Sequence, residues 1–242
     1  MEIADKMFLV TGGSDGIGLA LARQLHAAGA HVAVCGRSQA KLTAARDGGL
    51  EAIAADLSTP AGCDALIAAF AGRPLDVLVN NAGMQVIADI AAGAPPAPFE
   101  TEMFLNFNAP LRLVIGLLPA LKARPQAKIV NVTSGLALSP KASAPVYCAS
   151  KAALRAFSKA LRAQLQGTSV SVLDALPPMV DTAMTAGRGK PSVKLSPETC
   201  AAAIVRAIGQ DRQDAYIGAT RLLKIAQRLA PGLAERIMLG MH

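Results

Sequence analysis

Hydrophobic positions along the chain fall into short apolar runs separated by longer amphipathic stretches. Met7–Thr11, Val32–Cys35, Ala52–Ala55, Leu75–Val79, Ile129–Thr133, Ser169–Leu173 and Ala215–Ile217 read as short, buried strands. Between them the apolar period changes to that of a helix. In Gly16–Ala28, Ile17, Leu21 and Leu25 share one face, and Gly29 is a stop signal. Pro60–Ala71, Phe99–Leu121, Ala144–Gln166 and Pro197–Ile208 are further helical stretches, and Ser38 is placed to cap a helix after the second strand. Pro110 lacks an amide hydrogen and predicts a bend inside Phe99–Leu121. Residues 91–98 and 184–196 carry no period and read as mobile loops. Strands alternating with helices imply an α/β domain, with one parallel sheet covered on both faces.

The C-terminal part, from about residue 219 to 242, has its own pattern. Arg221, Lys224 and Arg228 recur at i, i+3 and i+7, beside an apolar face of Leu222, Ile225, Ala226 and Leu229. Pro231 breaks this helix, and Leu233, Ile237 and Met238 begin a second stripe. An apolar stripe beside a charged face is what most surface helices show. The expectation is therefore a helix pair covering the sheet edge or a subunit interface, with its charges in water, rather than a membrane contact.

Composition narrows the class. The 242 residues suit one domain, 1–242, and 52% hydrophobic residues with a mean hydropathy of +0.37 exclude a disordered chain. Long uncharged runs such as Val77–Ala88 and Ile129–Pro140 fall short of the roughly 18 apolar residues of a membrane span. The opening MEIADKMFLVTGG lacks the basic, apolar and small-residue regions of a signal peptide, so a cytoplasmic location is expected. The net charge of +7 could suit nucleic acid, but with no Trp, two Tyr and six Phe few bases could stack, and no such partner is expected. Cys35, Cys63, Cys148 and Cys200 form no CxxC pair and read as buried thiols. His26, His31 and His242 adjoin no carboxylate motif, so neither a metal site nor a Ser-His-Asp triad is expected.

Chemistry must then come from four other places. Thr11-Gly12-Gly13-Ser14-Asp15-Gly16-Ile17-Gly18 lies between a strand and a helix. Its glycines allow a tight turn and close approach of a ligand, and free amides at the helix start suit a pyrophosphate. Tyr147 and Lys151 stand four apart, on one helical face, where an ammonium beside a phenol favours the phenolate. Depression of the phenol by about two to three units would make it a base usable near neutral pH. Ser134 follows a strand end, thirteen residues before Tyr147. Asn80-Asn81-Ala82-Gly83 follows the fourth strand, and such ends are where open α/β sheets bind ligands.

These residues resemble the short-chain dehydrogenases/reductases, from Met7 to about Ile217. The matching pieces are TGGSDGIG, ADL with Asp56, NNAG, Asn106 in FLNFNAP, Ser134, YCASK and PPMVDT. The resemblance implies a Rossmann-type, doubly wound parallel sheet and NAD(P)-dependent hydride transfer on a carbonyl/alcohol pair. It implies that Tyr147 is the general acid/base, that Lys151 lowers its pKa and holds the nicotinamide ribose, that Ser134 polarises the carbonyl, and that Asn106, rather than Asn108, holds a water in a proton relay. Cofactor contacts are implied at Thr11, Gly12, Ser14, Asp15, Gly16, Ile17 and Gly18; at Arg37; at Asp56 and Leu57; at Asn80, Ala82 and Gly83; at Tyr147 and Lys151; and at Pro177, Val180 and Thr182. Asp56 would meet the adenine, Asn80 would hold the adenosine side, and Val180 and Thr182 would meet the carboxamide. Pro178 departs from the family's usual Pro-Gly and offers no amide hydrogen.

Cofactor choice turns on Cys35-Gly36-Arg37. An acidic residue where Gly36 stands would hold the ribose of NAD, whereas Arg37 can take a 2′-phosphate bidentately. Asp15 would repel that phosphate if it pointed inward. NADP(H) is favoured over NAD. The alternative function is a nucleotide-sensing or scaffold protein on the same fold. A small-molecule carbonyl or alcohol substrate is expected. Alanines at 149, 152, 153, 156, 160 and 163 suggest close helix packing in a homodimer or homotetramer.

Overall fold

The computed structural model describes residues 1–240, so His242 and the last two positions of the C-terminal segment lie outside the described residues. Seven strands form one sheet: β1 (Met7–Thr11), β2 (His31–Gly36), β3 (Glu51–Ala54), β4 (Val77–Asn80), β5 (Ala127–Val132), β6 (Val170–Leu176) and β7 (Asp214–Tyr216). Their order is β3-β2-β1-β4-β5-β6-β7, and every pairing is parallel. This is the parallel sheet that the alternation of strands and helices implies, doubly wound as the family resemblance implies. The order reverses between β1 and β4, which opens a crevice at their carboxyl ends.

Side chains alternate between the two faces, as the strand period requires. Val10 and Val34 join a cluster with Leu21 and Leu25 of α1 (Gly16–Ala27) and Ile204 and Ile208 of α7 (Pro197–Gly209). Their neighbours Leu9 and Ala33 point the other way. They pack with Leu66 of α3 (Pro60–Ala69), with Leu113 and Leu117 of α5 (Ala109–Lys122) and with Leu161 of α6 (Pro145–Gln164). Each fully buried leucine contributes roughly 1.5–3 kcal/mol. Ser38 caps α2 (Gln39–Asp47) by accepting from the Lys41 amide, as its position suggests.

The stretch around Pro110 is one continuous helical run, as expected, with a π-helical turn inside it. It consists of α4 (Ala97–Met103), a π-helical turn at Phe104–Asn108, and α5. Pro110 lies in the first turn of α5, and its missing amide leaves the preceding turn free to widen, with the Ala109 N–H donating to the Phe104 carbonyl five residues back. By length and composition alone, Ala97–Lys122 is apolar enough to cross a membrane. Here Leu113, Val114, Leu117 and Leu121 spend that apolarity on the core.

At the C-terminus, α8 (Thr220–Leu229) and α9 (Pro231–Leu239) meet at the break that Pro231 predicts. Their orientation corrects the expectation of a stripe packed over the sheet edge; a stripe left exposed on the single chain is compatible with the other expectation, a subunit interface. Leu222, Ile225, Leu229, Leu233 and Ile237 are exposed, and only Met238 of the second stripe turns inward.

Candidate active site

A cavity of about 1190 Å³ opens at the carboxyl ends of the central strands. One end is floored by the glycine turn. Asp15 caps α1, its Oδ1 accepting from the Gly16 amide at 2.8 Å. Gly12 adopts φ +62°, and a Cβ there would stand 2.9 Å from the Ala82 Cα; one on Gly18 would stand 2.3 Å from the Gly12 carbonyl oxygen. Only glycine leaves this cradle open, and the start of α1 faces into it.

Thr11 binds the turn to the fourth strand. Its hydroxyl donates to the Val79 carbonyl at 3.1 Å and accepts from the Asn81 and Ala82 amides at 2.9 and 3.0 Å. Asn81, of the Asn80-Asn81-Ala82-Gly83 motif, donates from Nδ2 to the Thr11 carbonyl at 2.9 Å and borders the cavity. Asn80 turns into the sheet instead, donating to Asn131 Oδ1 at 2.9 Å, and Asn131 donates to the Ser158 hydroxyl at 2.8 Å. Thr11, Gly18 and Asn80 thus hold the wall from behind, whereas Gly12, Ser14, Asp15, Gly16, Ile17, Arg37, Asp56, Leu57, Ala82, Gly83, Pro177, Val180 and Thr182 border the cavity itself.

At the end of β2, Arg37 is 69% exposed, with a guanidinium nitrogen 4.0 Å from an Asp56 oxygen. Asp15 is paired with Lys41, and that pairing holds its carboxyl below the usual carboxylate range. The negative charge that would oppose a phosphate is therefore already matched. Gly36 is needed for packing as well, because a Cβ there would lie 2.5 Å from the Ser14 hydroxyl.

The other end gathers Ser134, Tyr147 and Lys151. Ser134 follows β5 and caps a short turn by accepting from the Leu136 amide at 3.1 Å. Tyr147 and Lys151 stand one turn apart on α6, the ammonium 5.8 Å from the phenol ring centre. Lys151 is buried, donates to the Val132 carbonyl at 2.9 Å, and is pushed down to about 8 by burial, against the opposing charges of Asp174 and Glu102. The phenol departs from the expected depression. Burial pushes Tyr147 up to about 12, and the groups that pull it back are the Ser134 hydroxyl and the Arg188 charge. Near neutral pH the phenol holds its proton.

Asn106, on the π-helical turn, is fully buried. Its Oδ1 accepts from the Met84 amide at 2.9 Å, and its Nδ2 donates to the Met84 carbonyl at 2.9 Å and to the Ser150 hydroxyl at 3.0 Å. The side chain is thus fully engaged in fixing the segment after Gly83. A Cβ on Gly83 would stand 2.9 Å from Asn106 Oδ1 and 3.5 Å from the Lys151 ammonium. Asn108 instead borders a separate shallow hollow with Ile90 and Phe99.

Glu102 had no sequence signal. It is buried, accepts from the Val86 amide at 3.0 Å, and is raised by burial while the charge of Lys151 opposes the shift. At the mouth, Arg188 donates to Gln85 Oε1 at 2.6 Å and so joins two loops 103 residues apart. Pro178 packs beside Gly218, where a Cβ would stand 3.3 Å from its ring. Among the described residues, no group of three or more His, Cys, Asp or Glu could hold a metal ion.

The short chain dehydrogenase family model matches residues 6–192. The chain is 44% identical over 189 residues to the uncharacterized oxidoreductase DltE of Bacillus subtilis (strain 168), covering 76% of this chain and 75% of the relative. Its backbone is similar to that of a short chain dehydrogenase from Burkholderia cenocepacia J2315 in complex with NADP, with TM-score 0.89, 24% identity and 99% of both chains covered. It is also similar to Pseudomonas aeruginosa RhlG in an NADP active-site complex, with TM-score 0.76 and 31% identity, over 88% of this chain and 92% of the other.

Proposed function

The chain belongs to the short-chain dehydrogenase family of oxidoreductases, and on that premise we propose that it moves a hydride between NADP(H) and a carbonyl/alcohol pair, with Tyr147 as the general acid/base. The observation that carries the reading is one continuous cavity, with a cradle only glycine permits at one end and the Ser134–Tyr147–Lys151 cluster at the other. The cradle fits a dinucleotide pyrophosphate, because the α1 start and the left-handed Gly12 and Gly16 leave the space a phosphate needs. When bound, the nicotinamide supplies or takes the hydride.

The chain's own residues manage the proton. The Ser134 hydroxyl donates to the carbonyl oxygen and stabilises the charge that grows there. Tyr147 gives its proton to the same oxygen, and its burial keeps that proton in place until then. Lys151 lies behind it as a cation that favours the phenolate left by transfer and can hold a ribose hydroxyl. Asn106 acts by fixing the Met84 segment and Ser150 around Lys151.

Arg37 and the neutralised Asp15 support NADP(H) over NAD, in line with the NADP complex of RhlG. The alanine-rich side of α6, with Ala149, Ala152, Ala156, Ala160 and Ala163 exposed, supports a homodimer or homotetramer; a light-scattering mass of a single chain would refute it.

The test is NADPH oxidation by purified protein across a panel of ketones and aldehydes. Turnover that vanishes in Tyr147→Phe is expected. Binding of NADPH with no turnover of any carbonyl would favour the sensing alternative, and equal use of NADH would remove the cofactor preference.

A further inference from the structure

The two C-terminal helices are turned inside out relative to an ordinary surface helix. On α8 the residues facing the rest of the chain are Thr220, Leu223 and Gln227, at i, i+3 and i+7. Leu222, Ile225 and Leu229 lie on the far side, at 71%, 53% and 78% exposure. On α9, Ala234 and Met238 turn inward, while Leu233 and Ile237 stand 59% and 57% exposed. A stripe that normally faces the core faces water here, at a cost proportional to its area. Six of the eleven large exposed hydrophobic residues among the described ones belong to these two helices.

The charges beside the stripe have one sign. Thr220–Gly240 holds four cations, Arg221, Lys224, Arg228 and Arg236, against the single acid Glu235. Arg221 donates from Nε to the Tyr216 carbonyl at 2.9 Å, and the Lys224 ammonium lies 4.0 Å over the Tyr216 ring, so part of this flank is held in place beside the stripe.

We propose that α8 and α9 form a docking surface for an anionic lipid bilayer, with the exposed leucines and isoleucines entering the acyl boundary and the arginines meeting headgroup phosphates. Apolar area and attraction to anionic lipid are the two terms that bind an interfacial helix, and this face carries both. A second copy of the chain fits less well. A two-fold contact would bring the same excess, four cations over one acid, to the interface from both sides. The surface is also continuous with the cavity, because Leu223 and Met238, on the inner sides of the same helices, border it. Docking would hold that wall of the cavity beside the headgroups, where an amphiphilic carbonyl compound would be concentrated.

The experiment is co-sedimentation of the full chain with phosphatidylglycerol/phosphatidylcholine vesicles and with pure phosphatidylcholine vesicles, alongside light scattering without lipid. The parent chain should pellet with the anionic vesicles, stay in solution with the neutral ones, and be released by salt at about 0.5 M. The triple variant Leu222→Gln, Ile225→Gln, Leu229→Gln should bind at least about tenfold more weakly. It should keep its melting temperature, because those side chains touch no core. Should it fail to fold, the charge reversal Arg228→Glu with Arg236→Glu tests the same surface and should abolish binding to anionic vesicles. A parent chain that stays in the supernatant with anionic vesicles overturns the proposal. So does a folded variant that binds as tightly as the parent. An oligomeric mass that falls on the triple substitution assigns the face to a second copy and overturns it equally.

Discussion

The two ends of the cavity use charge in opposite ways. Behind the tyrosine end two charged groups are buried with fixed partners: Lys151 on the Val132 carbonyl, Glu102 on the Val86 amide. At the glycine-turn end they are exposed. Arg37 stands 69% exposed beside Asp56, and Lys41 and Asp15 pair at about half exposure each. Burial moves pKa values and holds geometry, because a charge without water must keep its partners. Exposure leaves charges free to meet a ligand but screens each interaction. Under the proposed function, the first end suits chemistry and the second suits recognition.

That contrast is testable, beginning with its largest consequence. Tyr147→Phe should lower kcat by at least about 100-fold while leaving NADPH affinity nearly intact, since only the proton donor is lost. Steady-state kinetics beside a fluorescence titration of NADPH checks this, and unchanged turnover would move the chemistry elsewhere. Asn106→Ala should cost on the order of 2–3 kcal/mol in stability by stranding the half-buried Met84 amide and carbonyl and the buried Ser150 hydroxyl. A denaturant melt that matches the parent would show that water replaces the side chain there.

At the exposed end, Arg37→Ala should weaken NADPH binding by about 1.5–3 kcal/mol, the scale of a charged hydrogen bond, and change NADH little. Equal losses for both cofactors would free Arg37 from the 2′-phosphate.

The pH profile separates the ends as well. Lys151 is held at about 8 and Tyr147 at about 12, so the protonated pair persists through neutral pH and the lysine loses its charge first. In the reductive direction kcat/KM should stay level below about pH 8 and fall above it; a rise through pH 8 would contradict this. Stability runs the other way for this group. The unfolded chain, with lysine near 10.5, binds the extra proton between about 8 and 10.5, so the Lys151 contribution to stability improves as pH rises through that window. The smallest effect belongs to Lys41→Ala, which should alter stability by less than about 1 kcal/mol, as expected for an exposed pair. A larger loss in a thermal melt would mean that this end, too, is held by its charges.

Most of the cavity was legible from spacing. Tyr147 and Lys151 meet because four residues make about one helical turn, and the glycine turn forms because strand, Gly12 and helix follow one another directly. Glu102 was not singled out, because its partner is distant in sequence; Asn81, though part of the Asn80-Asn81-Ala82-Gly83 motif, was given no role of its own, because it acts on backbone atoms that bear no residue-specific mark. Asn80 shows the limit from the other side. Its position after β4 suggests a ligand, yet its side chain enters the sheet, because Asn131 stands opposite it in the β4–β5 register.

By itself the sequence determined the alternation of strands and helices, the cradle, and the juxtaposition of Tyr147 and Lys151, since each rests on short-range geometry. Tertiary structure alone decided which way each surface faces and how each charge is tuned. The period of α8 gives an apolar side and a basic side, but only its packing on Thr220, Leu223 and Gln227 turns the leucines outward. The same holds for Tyr147, whose neighbour on the helix favours the phenolate while the walls folded around it keep the phenol protonated. Burial is a property of everything packed around a residue, and no local pattern contains it.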